Sequence, residues 1–449
     1  MISKILNLWH FIRSSLWFVP ALFCLVFFCA TMGIYSFELR YLHDVELPAL
    51  FFNGDIDDAK SITIALLSSM ITMATLAISI TMIVLSLSAS QLGPRLIRTY
   101  MSDSKTQNYI GLFFGTVIAC FVLTVILHDI QTNTLSEIPH VTITAVLIIC
   151  FANLFVLLGF VHHVAQSSIA DNAIVSVTKS LMNAINHLPD HNDSKLQKKA
   201  ETHTLYGDKP PKDWPKNFET KKHEIAFDRS GYIQYIDYKG MAEVAAKHNL
   251  YIELKIRAGK FVVESENGVF IYVTNTKLDD DIKKSVLKCF GVGATRTPTQ
   301  DIEYSIRHLV EIGLRALSPG INDNFTAITV LDRLTAALVN LFKKQLPQEW
   351  YYDSQDRVRI HAQQSDEQRI VMQAFNQIRF AAVDKPDIIY HMLRKVETLV
   401  ELAHTKAQKE GLKNQLTEIA YILDRMDGVL KNTKGMKAHC KELQDRLSA

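Results

Sequence analysis

Hydroxyl side chains line up along one apolar stretch of this chain of 449 residues. At about 100° per helical residue, they fall within about 60° of one another. The seven members of this hydroxyl stripe are Ser61, Ser68, Thr72, Thr75, Ser79, Ser86 and Ser90. Because a hydroxyl can hydrogen-bond water or a hydrated ion, such a row on a membrane helix could line an aqueous pathway. Ile62–Leu87 contains no Asp, Glu, Lys or Arg, which argues against proton-driven transport and favours passive conduction.

The stripe also has a structural interpretation. Small hydroxylated residues let helices pack closely, and each hydroxyl can donate to the carbonyl four residues before it or to a neighbouring helix. In the pore interpretation, copies of the helix surround a pathway in a symmetric oligomer. In the packing interpretation, the stripe holds the four helices of one chain together. The sequence leaves both interpretations open.

A second group of polar residues surrounds a helix break at Ser318-Pro-Gly. Helices are predicted on both sides of the break, the second of them capped by Asn322 or Asp323. The group consists of Gln300, Asp301, Arg307, Arg315, Ser318, Asn322 and Asp323. We expect its arginines to pair with its aspartates in a partly buried structural network. Ligand binding and catalysis at this signature hairpin are the alternatives.

Common marks of catalysis and of metal binding are missing from the sequence. It contains no GxSxG nucleophile and no HExxH zinc motif. Gly291-Val-Gly293 lacks the third glycine of a dinucleotide fingerprint. The six cysteines include no CxxC pair, and the histidines have no regular ligand spacing. We therefore expect no enzyme, no metal and no cofactor.

Four stretches are apolar and long enough to cross a hydrocarbon core of about 30 Å, which takes roughly 20 helical residues. They are Leu16–Tyr35, Ile62–Leu87, Ile110–Leu127 and Val141–Val161. Residues 1–161 contain only seven Lys/Arg and nine Asp/Glu, against 41 and 37 in the rest of the chain. The charge thus separates a membrane part from a water-soluble body, whose balanced charge argues against nucleic-acid binding.

Basic residues predict the orientation of the spans. The segments that carry Lys and Arg, before the first span and between the second and third, are expected in the cytoplasm, together with both termini. The opposite loops are acidic. Asp55, Asp57 and Asp58 would form an outer acidic vestibule that concentrates cations at the mouth of a pore.

The chain is predicted to contain five parts. Residues 1–161 form a four-helix transmembrane domain, and 162–188 continue the fourth helix into the cytoplasm. Residues 189–229 form a polar linker, 230–293 a small α+β domain, and 294–449 a helical domain with the signature hairpin. The fold class is thus an α-helical membrane protein with four transmembrane helices, plus a cytoplasmic α+β module and a C-terminal helical bundle.

Several segments resemble one bacterial family. Gln300-Asp301, Arg315-Ala-Leu-Ser-Pro-Gly-Ile-Asn-Asp323 and Phe325-Thr-Ala327 are similar to a signature of the predicted membrane proteins called the domain of unknown function 2254 family. The resemblance covers nearly the whole chain, including Arg13–Pro20, Gln91–Arg95, Gly231–Asp237 and Arg257–Val262. Many members have proline in place of Asn324, a departure that affects stiffness at a helix start more than chemistry. The resemblance implies this architecture and a bacterial inner-membrane location, but no reaction.

Two functional hypotheses follow. The first is a homo-oligomeric channel in which the second span lines a cation-preferring pathway and the cytoplasmic domains form a regulatory collar. The second is a membrane-anchored sensor or scaffold whose cytoplasmic part binds a small molecule or a protein. An enzyme is the third possibility. The expected partners are the lipid bilayer, further copies of the chain and ions, with no nucleic acid.

Overall fold

The computed structural model describes residues 16–41, 48, 51–92, 101, 103–133, 138–167, 170–188, 214, 222–265, 267–273, 278–298, 300–347, 349–355, 357–426 and 433–448. The chain divides into two compact units, Met1–Ala173 and Ile174–Ala449. Each unit has its own core and is described by itself.

The first unit is built from long apolar helices. In chain order these are α1 (Phe18–Tyr41), α2 (Ile56–Leu92), α3 (Ser104–Asn133) and α4 (His140–Ser167). Each contains a stretch that is long and apolar enough to cross a membrane. The four predicted spans are therefore confirmed as candidate membrane-spanning helices, and every helix continues beyond the predicted apolar stretch.

α3 is the central helix of this unit, because it contacts α1, α2 and α4. Gly111 and Gly115 of α3 form a GxxxG pattern that faces α1. A Cβ atom at Gly111 would lie 2.7 Å from the ring of Phe23, and one at Gly115 would lie 2.7 Å from the ring of Phe27. The two glycines therefore let α1 approach α3 closely.

Carboxylates connect the helices at both ends of the bundle. Glu38, in the last turns of α1, is buried and accepts hydrogen bonds from the backbone N–H groups of Val141 (2.7 Å) and Thr142 (2.9 Å). The charge of Glu38 thus caps α4 and complements its helix dipole. At the opposite end, Asp103 caps α3 and lies 2.7 Å from Nε2 of His163 in α4.

The second unit contains two sheets that share one apolar core. A five-stranded sheet has the order β1-β5-β3-β8-β7, with β1 (Lys222–Ala226), β3 (Leu250–Leu254), β5 (Asn267–Val273), β7 (Trp350–Tyr352) and β8 (Val358–Ala362). Its neighbours are antiparallel except for β3 and β8, which are parallel. A three-stranded antiparallel sheet has the order β4-β2-β6, with β2 (Gly231–Ile236), β4 (Phe261–Val262) and β6 (Phe290–Gly293).

Helices complete the second unit. α5 (Ala170–Asn186) crosses the boundary between the units, and α6 (Tyr238–Lys247) and α7 (Asp280–Leu287) contribute apolar residues to the core of the sheets. The C-terminal helices are α8 (Ile302–Ala316), α9 (Asn324–Leu341), α10 (Glu367–Ala381), α11 (Pro386–Val400), α12 (Lys406–Arg425) and α13 (Thr433–Ser448). Four candidate spans are thus followed by a mixed α/β region and a helical C-terminal region.

The five-stranded sheet draws on more of the chain than residues 230–293. β1 lies within the predicted linker, and β7 and β8 lie within the predicted helical domain. β8 joins the sheet by parallel pairing of Ile252 with Ile360. Such pairing between distant segments leaves no periodic signal in the local sequence.

A capping box separates α11 from α12, which begins after Thr405. The Thr405 hydroxyl accepts from the Gln408 N–H while the Gln408 side chain accepts from the Thr405 N–H. Gly411 lies inside α12. A Cβ atom there would lie 3.1 Å from Cα of Gln368, so the glycine permits close packing on α10.

Candidate functional site

The hydroxyl stripe of α2 lies on the outside of the four-helix bundle. Six of its members are exposed, and Ser90 lies outside the residues whose side chains the structure describes. The buried face of α2 lies about 180° away, at 100° per residue. It consists of Ala59, Thr63, Met70, Ala74, Ala77 and Thr81. α2 therefore packs on its own chain through mainly small residues and presents the hydroxyls outward. The stripe therefore lies away from the buried face of α2, and the pore and packing interpretations both stay open.

The stripe hydroxyls are hydrogen-bonded within their own helix. Each donates to the carbonyl four residues earlier, at 3.0 Å for Ser68 and at 2.9 Å for Thr72, Thr75 and Ser79. These bonds satisfy the donors without a second helix. The oxygen lone pairs stay on the outer surface, where water, an ion or a donor from another chain can reach them.

The three carboxylates predicted for the outer vestibule lie together at the start of α2 and are exposed. Asp55 caps the helix by accepting from the Asp58 N–H at 2.7 Å. Asp57 accepts from the Gln131 amide of α3 at 2.9 Å, and the oxygen of that amide accepts from Lys60 at 2.6 Å. The carboxylates thus remain accessible, while Lys60 offsets part of their charge.

Polar groups inside the bundle are paired with one another. The Asn153 amide of α4 donates to the Thr116 hydroxyl of α3 at 2.6 Å, and the Sγ atoms of Cys120 and Cys150 lie 3.5 Å apart. These four side chains connect α3 to α4. They are remote from the stripe, since they lie on the packed side of the bundle.

In the second unit, Asp301 forms a buried ion pair. Its side chain is 1% exposed, and it caps α8 by accepting from the Tyr304 N–H at 3.1 Å. Arg296 donates to its other oxygen from Nε at 2.8 Å and from Nη2 at 2.6 Å. Burial raises the pKa of Asp301, and the Arg296 guanidinium opposes this shift. Gly259, with φ +83°, makes room for the pair, because a Cβ atom there would lie 2.0 Å from Oδ2 of Asp301.

The neighbours of Asp301 attach the start of α8 to the sheet region. The Gln300 side chain accepts from the N–H of Ile236 at 3.0 Å and donates to its carbonyl at 3.1 Å, at the end of β2. Glu303 is buried, lies 2.8 Å from Nη2 of Arg257 and accepts a hydrogen bond from the Ser365 hydroxyl. Gln300 and Glu303 thus each bind a partner in a distant part of the chain.

Ser318, Asn322 and Asp323 form the turn between α8 and α9. The Ser318 hydroxyl donates to the Arg315 carbonyl at 2.6 Å, and Asn322 has φ +51°, a left-handed conformation that Asn tolerates. Asp323 caps α9 by accepting from the N–H (3.0 Å) and the hydroxyl (2.6 Å) of Thr326. These bonds hold the pKa of Asp323 below its usual value. The turn therefore has the expected capping structure.

The ion pair of Asp301 differs from the one expected. Arg307 is exposed and lies 3.7 Å from Glu311 on the same helix, and Arg315 is half-buried on α8. Asp301 pairs instead with Arg296, which the sequence did not indicate. Arg296 lies in the segment before α8 and donates to the carboxylate oxygen that the Tyr304 N–H leaves free.

An open polar pocket of about 320 Å³ lies beside the Asp301 ion pair. It is lined by Arg257, Gly259, Lys260, Arg296, Glu303, Gln363 and Arg369. We call it the basic pocket, because four of these side chains are cationic and one is a carboxylate. They come from the turn between β3 and β4, from the start of α8 and the segment before it, and from the segment around the start of α10. Local sequence patterns missed the basic pocket, since they cannot show that these segments meet.

Across the described residues, no group of three or more His, Cys, Asp or Glu side chains is arranged to hold a metal ion. The histidine that comes closest to a carboxylate in the membrane unit, His163, has Asp103 as its partner.

Comparison with known proteins identifies the family. Residues 13–398 match the family model described as "Predicted membrane protein (DUF2254)". Uncharacterized proteins from Mycobacterium bovis and from two strains of Mycobacterium tuberculosis are each 26% identical over 361 residues, covering 77% of this chain. The match spans 64% of the length of those relatives, and no solved structure matches the chain. Because the family model covers most of its length, the chain belongs to the DUF2254 family of predicted membrane proteins.

Proposed function

We propose that the protein is a homo-oligomeric channel of the bacterial inner membrane, in which α2 from several copies surrounds a passive, cation-preferring pathway. The observation that carries this proposal is the outward position of the hydroxyl stripe, opposite the face through which α2 packs on its own chain. With these two faces, α2 can pack on the other helices of its own chain and also line a pathway at the centre of an oligomer.

The charge distribution supports a cation preference and passive conduction. Three exposed carboxylates lie at the start of α2, with one lysine beside them. Beyond Lys60, α2 contains no charged residue, so it offers no carboxylate that could couple transport to protons. The basic segment between α2 and α3 supports a cytoplasmic location for the second unit and both termini, where this unit would act as a regulatory collar.

Ion flux in liposomes tests this proposal. The purified protein should conduct K⁺, and Thr75→Leu or Ser79→Leu should lower the flux at least about tenfold, because leucine removes the hydroxyl and narrows a wetted pathway. Ser69→Leu is the matched control. Ser69 is also exposed and bonded to the carbonyl four residues earlier, but it lies roughly 90° from the centre of the stripe.

Oligomeric state and flux together decide the outcome. Several copies per particle in detergent, with selective loss of flux in the stripe variants, would support the channel. A monomer, or an oligomer that does not conduct, would overturn it. We assign no catalytic role to the signature hairpin, since Asp301 and Asp323 are both engaged as helix caps.

A membrane-anchored sensor is the second candidate function. The observation that favours it is the basic pocket, a polar recess in the second unit that conduction by α2 does not require. In this case the protein would bind a small molecule without conducting ions. Ligand binding by a non-conducting monomer or dimer would favour the sensor over the channel.

A further inference from the structure

We propose that the basic pocket of the second unit binds the phosphate group of a small phosphorylated molecule or free phosphate. The proposal goes beyond ion conduction and does not depend on it. It deepens the sensor alternative by naming the chemical class of the ligand.

Two arginines in the basic pocket are held in place before any ligand arrives. Arg257 is fixed by Glu303 at 2.8 Å, and Arg296 is fixed by Asp301 at 2.6 Å. Their side chains are 19% and 14% exposed, so both guanidinium groups line the recess while their positions are set by buried carboxylates. Each guanidinium has five N–H donors, and donors not used by its carboxylate remain for an anion.

Two further cations lie at the rim. Lys260 and Arg369 are exposed, and neither has an ion-pair partner among the residues that the structure describes. Within the described part of the chain, the side chain of Lys260 donates only to the Lys255 carbonyl, at 3.4 Å. Asp366, near Arg369 in sequence, is engaged with the backbone at the start of α10. The rim therefore supplies two positive charges that no described carboxylate neutralises.

The charge of the whole pocket fits a dianion. The four cations exceed the carboxylates of Glu303 and Asp301 by two charges. A phosphate monoester carries close to two negative charges at neutral pH and three acceptor oxygens. A guanidinium group can donate two parallel N–H bonds to two phosphate oxygens, so the pocket suits a phosphate group in both charge and geometry.

The residues that line the basic pocket favour a soluble ligand over a lipid or a nucleotide. No apolar or aromatic side chain is among its described lining residues, so it offers neither a surface for acyl chains nor a ring on which a base could stack. Its volume of about 320 Å³ holds a phosphate with a small attached group. The chemistry therefore favours a compact, soluble phosphorylated compound.

Calorimetric titration of the full-length protein in non-ionic detergent tests the proposal, with inorganic phosphate and glycerol 3-phosphate as probes. We expect saturable binding that weakens as NaCl is raised. The double variant Lys260→Gln/Arg369→Gln should weaken binding at least about tenfold, since it removes the two unpaired cations. The control Arg229→Gln/Lys283→Gln removes two solvent-accessible positive charges elsewhere on the same unit and should change affinity less than about twofold.

Three results would overturn the proposal. The first is no binding of either probe at millimolar concentration to protein that unfolds cooperatively. The second is equal loss of affinity in both double variants, which would indicate long-range attraction rather than a site. The third comes from nanodiscs: if phosphatidylglycerol lowers the affinity of the native protein for phosphate, but not that of the Lys260/Arg369 variant, the pocket binds a lipid headgroup. Unchanged affinity in phosphatidylglycerol nanodiscs supports a soluble ligand.

Discussion

At the scale of single residues, the candidate site of the second unit depends on positions where two distant segments of the chain touch. Asp323 could be recognised from sequence as a candidate cap of α9, because a cap depends on the few residues that follow it. For α8 the sequence suggested Thr299 as the cap, and the structure has Asp301 in that role. The basic pocket could not be predicted, since it depends on the turn between β3 and β4 reaching the start of α8. The pairing of Arg296 with Asp301 depends on the irregular segment before α8, which has no periodic pattern. Gly259 marks this meeting point.

We predict that Gly259→Ala lowers the free energy of unfolding by about 1–3 kcal/mol. The left-handed φ of +83° disfavours alanine, and its Cβ atom would overlap Oδ2 of Asp301 and lie 2.9 Å from Nη2 of Arg296. Scanning fluorimetry of the purified protein would measure the loss as a lower unfolding temperature. Gly320→Ala is the control, because a Cβ atom there meets no atom within 4 Å. Equal effects of the two substitutions would contradict the prediction.

Acid stability offers a second prediction at this scale. Hydrogen bonds from the hydroxyl and the N–H of Thr326 lower the pKa of Asp323, so the charged carboxylate stabilises the fold above its unfolded-state pKa of about 3.9. This stabilisation is lost as pH falls through the lower pKa of the folded state. Asp323→Asn keeps a capping oxygen but cannot titrate.

The unfolding temperature should therefore fall less steeply for Asp323→Asn than for the native protein between about pH 5 and pH 3. At neutral pH the variant should be the less stable of the two. Parallel curves for the two proteins across this range would show that the Asp323 cap does not contribute to acid sensitivity.

At the scale of elements, the membrane helices were predictable and the sheet order was not. A span is identified by composition within one continuous stretch, and all four were found. The β3–β8 pairing joins segments on opposite sides of the signature hairpin, and no local pattern specifies it. The contact of α1 with α3 was predictable in part. The GxxxG spacing of Gly111 and Gly115 identifies a helix face suited to close packing, but it does not identify the helix that packs there.

We predict that Gly111→Leu weakens the packing of α1 on α3 and lowers the stability of the membrane unit by about 1–3 kcal/mol. The new side chain would meet the Phe23 ring close to its backbone, including Cβ at 3.3 Å, where the ring cannot turn away. Thermal stability in detergent, followed by gel filtration, measures the effect. Gly33→Leu on α1 is the control, since nothing lies within 4 Å of that position. No difference between these variants would show that the contact tolerates a larger side chain.

At the scale of the whole molecule, the chain has two separable cores. The boundary falls inside α5, between Ala173 and Ile174, whereas the sequence placed the end of the membrane domain near residue 161. Most of α5, including the buried Ile174, Leu181 and Ile185, thus falls in the second unit.

We therefore predict that a fragment of residues 170–449 folds without the membrane helices. Its sheets and C-terminal helices bury their apolar residues in cores of their own, so cooperative unfolding should be retained. Circular dichroism and thermal unfolding of the fragment, compared with the full chain, measure this. An aggregated fragment without a cooperative transition would show that the second unit needs the first.

The hydrogen bonds of the hydroxyl stripe have a consequence for how the protein is made. Ser68, Thr72, Thr75 and Ser79 already donate to carbonyls of α2 itself, so a newly synthesised chain can enter the bilayer alone without unsatisfied hydroxyl donors at these positions. If the protein forms the proposed channel, insertion and assembly can be successive events. Single inserted chains would then associate at a concentration set by the weaker contacts between copies.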